Sequence, residues 1–282
     1  MAAITASLVK ELRERTGLGM MDCKKALVAS GGDMELAIDD LRKSSGMKAA
    51  KKAGRIAADG LIGVKVADGK GVMIEVNCET DFAARDSNFI AFIETVVSRI
   101  YDGESADLES ILANGLEQER LALIQKIGEN ISVRRAEMYN GEVACYVHTN
   151  ARIGVLVLMQ GGNEKLGRDI AMHIAAANPQ VVSPADTSQS VLEKEREIYT
   201  AQAEETGKPA EIITKMVEGR IAKFLSEISL TEQVFVKDPD LKISHLLSQA
   251  NATVVSFSRY EVGEGIEKDT VDFASEVAQQ LA

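Results

Sequence analysis

The sequence predicts an α+β protein with a small helical head and two related halves of mixed strand and helix. Three observations lead to this prediction. Only 4% of the 282 residues are aromatic and only 4 are proline, which favours helices and argues against an all-β sandwich. Helix-capping residues recur at short spacing in the first fifty residues. Further along, a pair of β-branched runs precedes an apolar helical run, and this order occurs twice.

Composition narrows the class of protein. At 45% hydrophobic and 27% charged, the chain is typical of a soluble globular protein and long enough for two or three domains. No run approaches the ~18 apolar residues of a membrane span, and the N-terminus lacks the pattern of a signal peptide. Three separated cysteines, Cys23, Cys78 and Cys145, provide no disulfide framework, which is typical of a reducing compartment. We therefore expect a cytoplasmic protein without membrane contact.

Charge is distributed unevenly along the chain, whose formal net charge is -11. Residues 1–60 contain 11 basic and 8 acidic side chains, so the acidic excess lies in the remainder. The stretch from Arg42 to Arg55 has six basic residues and no acidic one. It indicates either a nucleic-acid contact or, more simply, a solvated helix end and linker. Because no aromatic side chain is interleaved, bases would have no surface on which to stack, and we expect no direct nucleic-acid partner.

The head, residues 1–54, is predicted to be a bundle of three short helices. Thr5 and Asp33 can cap the first and third helices, and Gly17 can end the first. A core of this size is marginal on its own. The alanine-rich, basic segment 47–60 is predicted to be a linker, helical in part.

Residues 55–140 are predicted to form the first α+β half. Two β-branched runs, Leu61–Val66 and Val72–Cys78, flank Asp68-Gly69, a dipeptide that favours a tight hairpin turn. The elements expected after a polar loop are a helix, a further helical region and a third strand, at Phe89–Ile100, 105–128 and Ile131–Met138.

Residues 141–263 are predicted to form the second α+β half, in which the same order recurs. Its two strands, helix and last strand are expected at Val143–His148, Ile153–Met159, Leu166–Ala176 and Thr253–Val262. We interpret the recurrence as a weak internal duplication. The insertion 184–229 contains two helical segments around Gly207-Lys208-Pro209, which predicts an αα-hairpin. Its two helices either bury each other or present a surface for self-association. The C-terminal module, 264–282, is predicted to contain a short amphipathic helix.

No catalytic or metal-binding motif is recognisable. The nearest approach to a nucleotide-binding loop, Gly63 to Gly71, has the wrong spacing and lies in the predicted hairpin. Cys145 and His148 would point to opposite faces of a strand, which argues against a metal site. We therefore expect no enzyme, cofactor or bound metal, with a cysteine-dependent enzyme that uses Cys78 or Cys145 as the alternative.

The most unusual local feature is the run Cys78-Glu-Thr-Asp-Phe-Ala-Ala-Arg-Asp86, where a single aromatic side chain follows a strand. From the residues alone, Phe82 either covers its own sheet or enters a pocket of another protein.

Several long runs make the chain, in order, resemble the bacterial translation elongation factor Ts family. They are Leu8–Gly17, Gly19–Leu27, Glu75–Phe82, Lys126–Ile131, Ala171–Ala176 and Met216–Arg220. The resemblance implies a guanine-nucleotide exchange factor that binds elongation factor Tu with GDP, displaces Mg²⁺ and promotes GDP release so that GTP can bind. It also implies a ubiquitin-associated-like head, a three-stranded antiparallel sheet in each half, and a tail helix that docks on the partner. The inserted coiled-coil hairpin would form a homodimer or a 2:2 complex.

The resemblance assigns a partner-binding role to the loop Thr80, Asp81, Phe82 and Ala83. These positions match the element that displaces the partner's Mg²⁺, with Asp81 and Phe82 as a wedge. Two positions depart from the family pattern. Ala83 stands where valine is frequent, and Asp86 stands where asparagine is common.

Further partner contacts are implied outside this loop. Arg13, Met20 and Met21 in the head match residues that touch the partner's nucleotide domain, although either methionine could instead fill the core of the bundle. His148 matches a residue that helps to perturb the partner's phosphate-binding loop.

Overall fold

The computed structural model describes residues 4–267, and its helices and two three-stranded antiparallel sheets confirm the predicted α+β class. The chain divides into two compact units. Among the described residues, one unit contains 4–63, 74–136 and 261–267, and the other contains 64–73 and 137–260. The predicted C-terminal helix lies outside the described residues. Within residues 4–267, no helix is both long and apolar enough to cross a membrane.

The head contains the three predicted helices, α1 (Ala6–Thr16), α2 (Met20–Ala29) and α3 (Met34–Ala50). Thr5 accepts a hydrogen bond from the Leu8 N–H at 3.3 Å, and Asp33 accepts one from the Leu36 N–H at 3.0 Å, as N-caps do. Gly17 ends α1 in a left-handed conformation with φ 68°. The fully buried side chains of the bundle are Leu12, Cys23, Leu27 and Ala37.

The first sheet has the order β1-β2-β3, with β1 (Asp59–Ala67), β2 (Lys70–Cys78) and β3 (Ser132–Asn140). Asp68 and Gly69 have φ values of 47° and 70°, as a two-residue type I′ turn requires, which explains why this dipeptide predicts the hairpin.

Four helices lie between β2 and β3: α4 (Asp81–Ala84), α5 (Ser87–Gly103), α6 (Leu108–Ile111) and α7 (Glu117–Ile127). The prediction of one helical region over 105–128 is wrong in detail, since a π-helical turn at Leu112–Leu116 separates α6 from α7. Asn114 and Gly115 have non-helical backbone angles there, and Gly115 has φ 96°. This conformation is one that glycine adopts readily.

The second half continues with β4 (Glu142–Val147), β5 (Ile153–Gln160), α8 (Glu164–Ala177), α9 (Gln189–Glu204), α10 (Ala210–Ile228), β6 (Val234–Phe235), β7 (Asp238–Lys242), α11 (Ile243–Gln249) and β8 (Thr253–Glu261). Its sheet has the order β4-β5-β8. Both three-stranded sheets therefore pair a hairpin with the last strand of the same half, next to the second hairpin strand. This shared order supports the interpretation as an internal duplication.

Helices α9 and α10 form the predicted αα-hairpin. Ala203, Val217 and Ile221 are buried in its seam, and five further side chains pack partly against them: Leu192, Tyr199, Ile213, Met216 and Leu225. The two helices thus bury each other's apolar faces, as one of the two alternatives predicts.

Sequence patterns did not predict the segment between α10 and β8. It is fixed by His173 of α8, which is fully buried. The ring Nδ1 accepts a hydrogen bond from the Val236 N–H at 3.3 Å, and Nε2 lies 2.9 Å from Gln233 Oε1. Burial lowers the pKa of His173, so the imidazole stays neutral and satisfies both partners.

Candidate functional site

The loop that carries Phe82 is a capped turn of helix. Thr80 is the N-cap of α4, and its Oγ1 accepts a hydrogen bond from the Ala83 N–H at 3.3 Å. Ala83 and Ala84 are buried on the inner side of this turn. The predicted partner-binding loop thus presents Phe82 to solvent, whereas Ala83 supports the turn from within.

Phe82 is 80% exposed, more than any other large hydrophobic side chain in residues 4–267. The interpretation that it covers its own sheet is therefore wrong. An exposed phenyl ring keeps its whole apolar surface available for burial against a partner.

Asp81, the other residue of the predicted wedge, is held on the same turn. Its carboxylate accepts a hydrogen bond from Arg85 Nη2 at 2.7 Å, an i,i+4 ion pair in which the Arg85 side chain is largely exposed and the Asp81 side chain about half exposed. Such a surface pair is worth only about 0.3–0.5 kcal/mol, so a partner group can displace Arg85 at little cost.

Asp86 caps the following helix, α5. Its Oδ1 accepts hydrogen bonds from the side-chain amide and the backbone N–H of Asn88, both at 2.7 Å. These bonds hold the pKa of Asp86 below its ordinary value. The departure from asparagine at this position therefore leaves a functional N-cap.

Two glutamates without a predicted role join the start of the loop to the segment after α7. Glu129 accepts hydrogen bonds from the backbone N–H groups of Glu79 and Thr80, at 3.0 and 2.9 Å, and from the Thr80 hydroxyl at 2.6 Å. In return, Glu79 accepts one from the Asn130 N–H at 2.6 Å. No local sequence signal reveals these bonds, since the two segments are about fifty residues apart.

The predicted head contacts are all exposed. Met20 and Met21 lie at the start of α2 and are 59% and 63% exposed, so neither fills the core of the bundle. Arg13 is also exposed, on α1. The three side chains are thus free to meet a partner, and flexible, polarisable methionines adapt readily to another surface.

Several side chains of the basic stretch Arg42–Arg55 contact other parts of the protein, unlike those of a solvated linker or an open nucleic-acid surface. Its first part completes α3, in which Lys48 pairs with Asp22 at 3.2 Å. Further along, the Lys52 amine donates to the carbonyl of Gly128, and Arg55 Nη1 lies 3.5 Å from Glu79 Oε2. These contacts fix the end of the stretch against the base of the Phe82 loop.

His148 follows β4 and belongs to the second compact unit, whereas Phe82 and the head belong to the first. The His148 side chain is exposed, and its Nδ1 lies 3.1 Å from the Tyr146 hydroxyl. Its backbone N–H donates to Ile153 at 2.9 Å, which closes the turn between β4 and β5.

The cysteines are poorly placed for nucleophilic chemistry. Cys78 is buried, and its thiol donates to the Thr80 carbonyl at 3.2 Å. Burial raises the pKa of Cys145, which lowers its content of reactive thiolate. Among the residues that the structure describes, no three histidine, cysteine or acidic side chains cluster so as to hold a metal ion.

The chain is similar to known proteins over nearly its whole length. Residues 79–264 match the family model described as "Elongation factor TS". A curated "Elongation factor Ts" from Hahella chejuensis is 64% identical, over 100% of this chain and 99% of that protein. Proteins of the same name from Saccharophagus degradans and Teredinibacter turnerae are 57% and 55% identical, each over 99% of this chain and 98% of the relative.

Proposed function

Because the chain belongs to the elongation factor Ts family of translation elongation factors, we propose that it is a guanine-nucleotide exchange factor for elongation factor Tu. The observation that carries this proposal is the outward Phe82 ring on a short, capped and buttressed turn. The protein then binds elongation factor Tu with GDP, displaces its Mg²⁺ and promotes GDP release. On this view it performs no bond-breaking chemistry of its own.

Exchange follows from a difference in affinity. A protein that binds vacant elongation factor Tu more tightly than the GDP-bound form must weaken GDP binding by the same factor. Moving a partner from almost fully closed to almost fully open takes about 5.5 kcal/mol of differential binding. Burial of one phenylalanine supplies about 1.5–3 kcal/mol, so Phe82 needs help from other contacts.

We assign the remaining contribution to disruption of the partner's metal site. A bound Mg²⁺ is a large local charge, and its loss removes attraction for the phosphates of GDP. In the proposal, Phe82 repacks the wall of that site while Asp81 exchanges Arg85 for groups on the partner. His148 acts separately, against the phosphate-binding loop.

The direct test is release of a fluorescent GDP analogue from elongation factor Tu, with and without the protein. The proposal predicts that release accelerates with protein concentration to a plateau. Equal release rates in the two samples would reject it.

The head is proposed to supply affinity that does not distinguish the nucleotide states. Replacing Met20 with alanine should then raise the concentration for half-maximal exchange about 5- to 30-fold, since loss of part of a buried methionine costs about 1–2 kcal/mol. The maximal release rate should change less. Met47→Ala is the matched control, because Met47 is 65% exposed on the same head without a proposed contact. A Met20→Ala protein with an unchanged half-maximal concentration and a reduced plateau would contradict this division of roles.

We also propose that the αα-hairpin mediates self-association. Val191 and Ile198 are exposed and lie seven residues apart on α9, hence on one face of the hairpin. Sedimentation equilibrium should show a dimer that Val191→Glu with Ile198→Glu converts to a monomer, because charge on a buried apolar contact costs several kcal/mol. A wild-type protein that stays monomeric at all concentrations would show that the hairpin packs only on itself.

A further inference from the structure

The single turn of helix beneath Phe82 depends on support from outside itself. Helix α4 has only four residues, too few to be stable alone. Its N-cap, Thr80, is held by Glu129, which lies after α7 in the chain.

The direction of the Thr80 hydroxyl bond connects Glu129 to the cap. The hydroxyl has one hydrogen, and the Glu129 carboxylate, a pure acceptor, receives it at 2.6 Å. The lone pairs of Oγ1 are then free to accept the Ala83 N–H, at 3.3 Å. Glu129 therefore orients the hydroxyl in the sense that the cap of α4 requires.

The same carboxylate also binds the backbone before the turn. One Glu129 oxygen accepts both the Glu79 and Thr80 N–H groups, and hydrogen bonds to a charged acceptor are among the stronger ones in proteins. Glu79 completes the link through the Asn130 N–H. Asn130 Nδ2 donates to the Arg55 carbonyl at 2.9 Å, so the whole support is anchored to the end of the basic stretch.

We propose that Glu129 is a positioning residue that preorganises the Phe82 turn for binding to the partner. The inference rests on the proposed exchange function, and it adds a residue that makes its contribution through Phe82 rather than by touching the partner. A turn fixed before binding loses less conformational entropy on association, so more of the contact energy remains for discriminating between nucleotide states. Thr80 shares this role, because it transmits the support to α4.

The test is Glu129→Gln, which keeps the shape of the side chain but replaces one acceptor oxygen with the NH2 donor of an amide. The maximal rate of stimulated GDP release should fall about 3- to 10-fold, the kinetic equivalent of losing one hydrogen bond of ordinary net strength. The half-maximal concentration should change less than the plateau. Glu117→Gln is the matched control: Glu117 lies on α7 and bonds Arg120 at 2.7 and 2.6 Å, and its loss should leave exchange unchanged.

A double variant separates positioning from general loss of structure. If Glu129 acts through Phe82, then Glu129→Gln should add little to Phe82→Ala, whereas independent effects would multiply. Thr80→Val should behave like Glu129→Gln, because it removes the hydroxyl that links the Glu129 carboxylate to the cap of α4. Amide hydrogen exchange at Thr80 should accelerate in Glu129→Gln while the melting temperature stays near that of the control.

The outcomes also distinguish this inference from the proposed function. A wild-type protein without effect on GDP release would reject the exchange function itself. Wild-type stimulation that Phe82→Ala reduces but Glu129→Gln leaves intact would reject only the role of Glu129. If the effects of Phe82→Ala and Glu129→Gln on the release rate multiply fully in the double variant, the role of Glu129 is likewise rejected.

Discussion

Replacing Phe82 with alanine should lower the maximal rate of stimulated GDP release about 10- to 150-fold, the kinetic equivalent of the ~1.5–3 kcal/mol gained by burying a phenylalanine. The reason is that the ring is exposed in the free protein and is proposed to be buried only in the partner's opened state. A contact that forms only with the partner's opened state changes the maximal release rate. A contact that forms equally with the opened and GDP-bound states changes the concentration for half-maximal exchange instead. Stopped-flow release of a fluorescent GDP analogue measures both quantities.

The variant is informative because it should leave the fold intact. An exposed ring contributes little to the core, so the melting temperature of Phe82→Ala should match that of the wild type. Val255→Ala provides a control, since Val255 is also well exposed, on β8, and has no proposed contact. An unchanged plateau for Phe82→Ala would show that the ring is not the discriminating contact.

The second large effect is expected on stability, at a buried carboxylate. Glu75 of β2 is fully buried and binds two arginines of β3. Its oxygens lie 3.1 Å from Arg134 Nη1 and 2.5 Å from Arg135 Nε. A third partner is the Gly263 N–H at 2.8 Å, so this one side chain joins three segments of the first compact unit.

Breaking a buried ion pair costs about 3–5 kcal/mol. Glu75→Gln should lower the free energy of unfolding by about 3 kcal/mol or somewhat less, at the low end of this range. The lower end applies because both arginines retain some exposure and can be partly solvated. Urea unfolding of the two proteins measures the difference. Glu264→Gln is the control, because Glu264 is exposed and bonds Arg135 at 3.2 Å, a contact worth under about 1 kcal/mol. Equal losses of unfolding free energy in the two variants would show that the buried Glu75 carboxylate does not stabilise the fold more than the exposed Glu264 does.

The same network should respond to acid. Burial by itself raises the pKa of Glu75, but hydrogen bonds from Gly263, Asn77 and Arg135 outweigh it and hold the pKa below the ordinary value of 4.5. A carboxylate with a lowered pKa stabilises the folded state fully above the unfolded-state pKa. That stabilisation is lost as the pH falls through the folded-state pKa, and Glu75→Gln should lack this component of the acid response.

Local signals account for the elements that the sequence predicts well. The caps Thr5 and Asp33, the Asp68-Gly69 turn and the apolar spacing of the αα-hairpin each act within a few residues, so they can be recognised without the fold. The segment between α10 and β8 was not predicted because β6 has two residues, too few for a period, and because the segment depends on a distant histidine.

The candidate site likewise combines features that local sequence predicts with features that depend on distant residues. The run around Phe82 can be identified from the sequence, but the orientation of the ring depends on the burial of Ala83 and Ala84 beneath it. The support from Glu129 joins positions about fifty residues apart, and only the folded chain brings them within hydrogen-bonding distance. The break between α6 and α7 at Gly115 is likewise visible in the backbone angles and cannot be predicted from composition alone.

Isothermal titration calorimetry of the protein into elongation factor Tu, once stripped of nucleotide and once saturated with GDP and Mg²⁺, tests the central proposal most directly. The proposal predicts markedly tighter binding to the stripped form, by the same factor by which the protein weakens the affinity of elongation factor Tu for GDP. Equal affinity for the two forms would contradict it, however strong that affinity was.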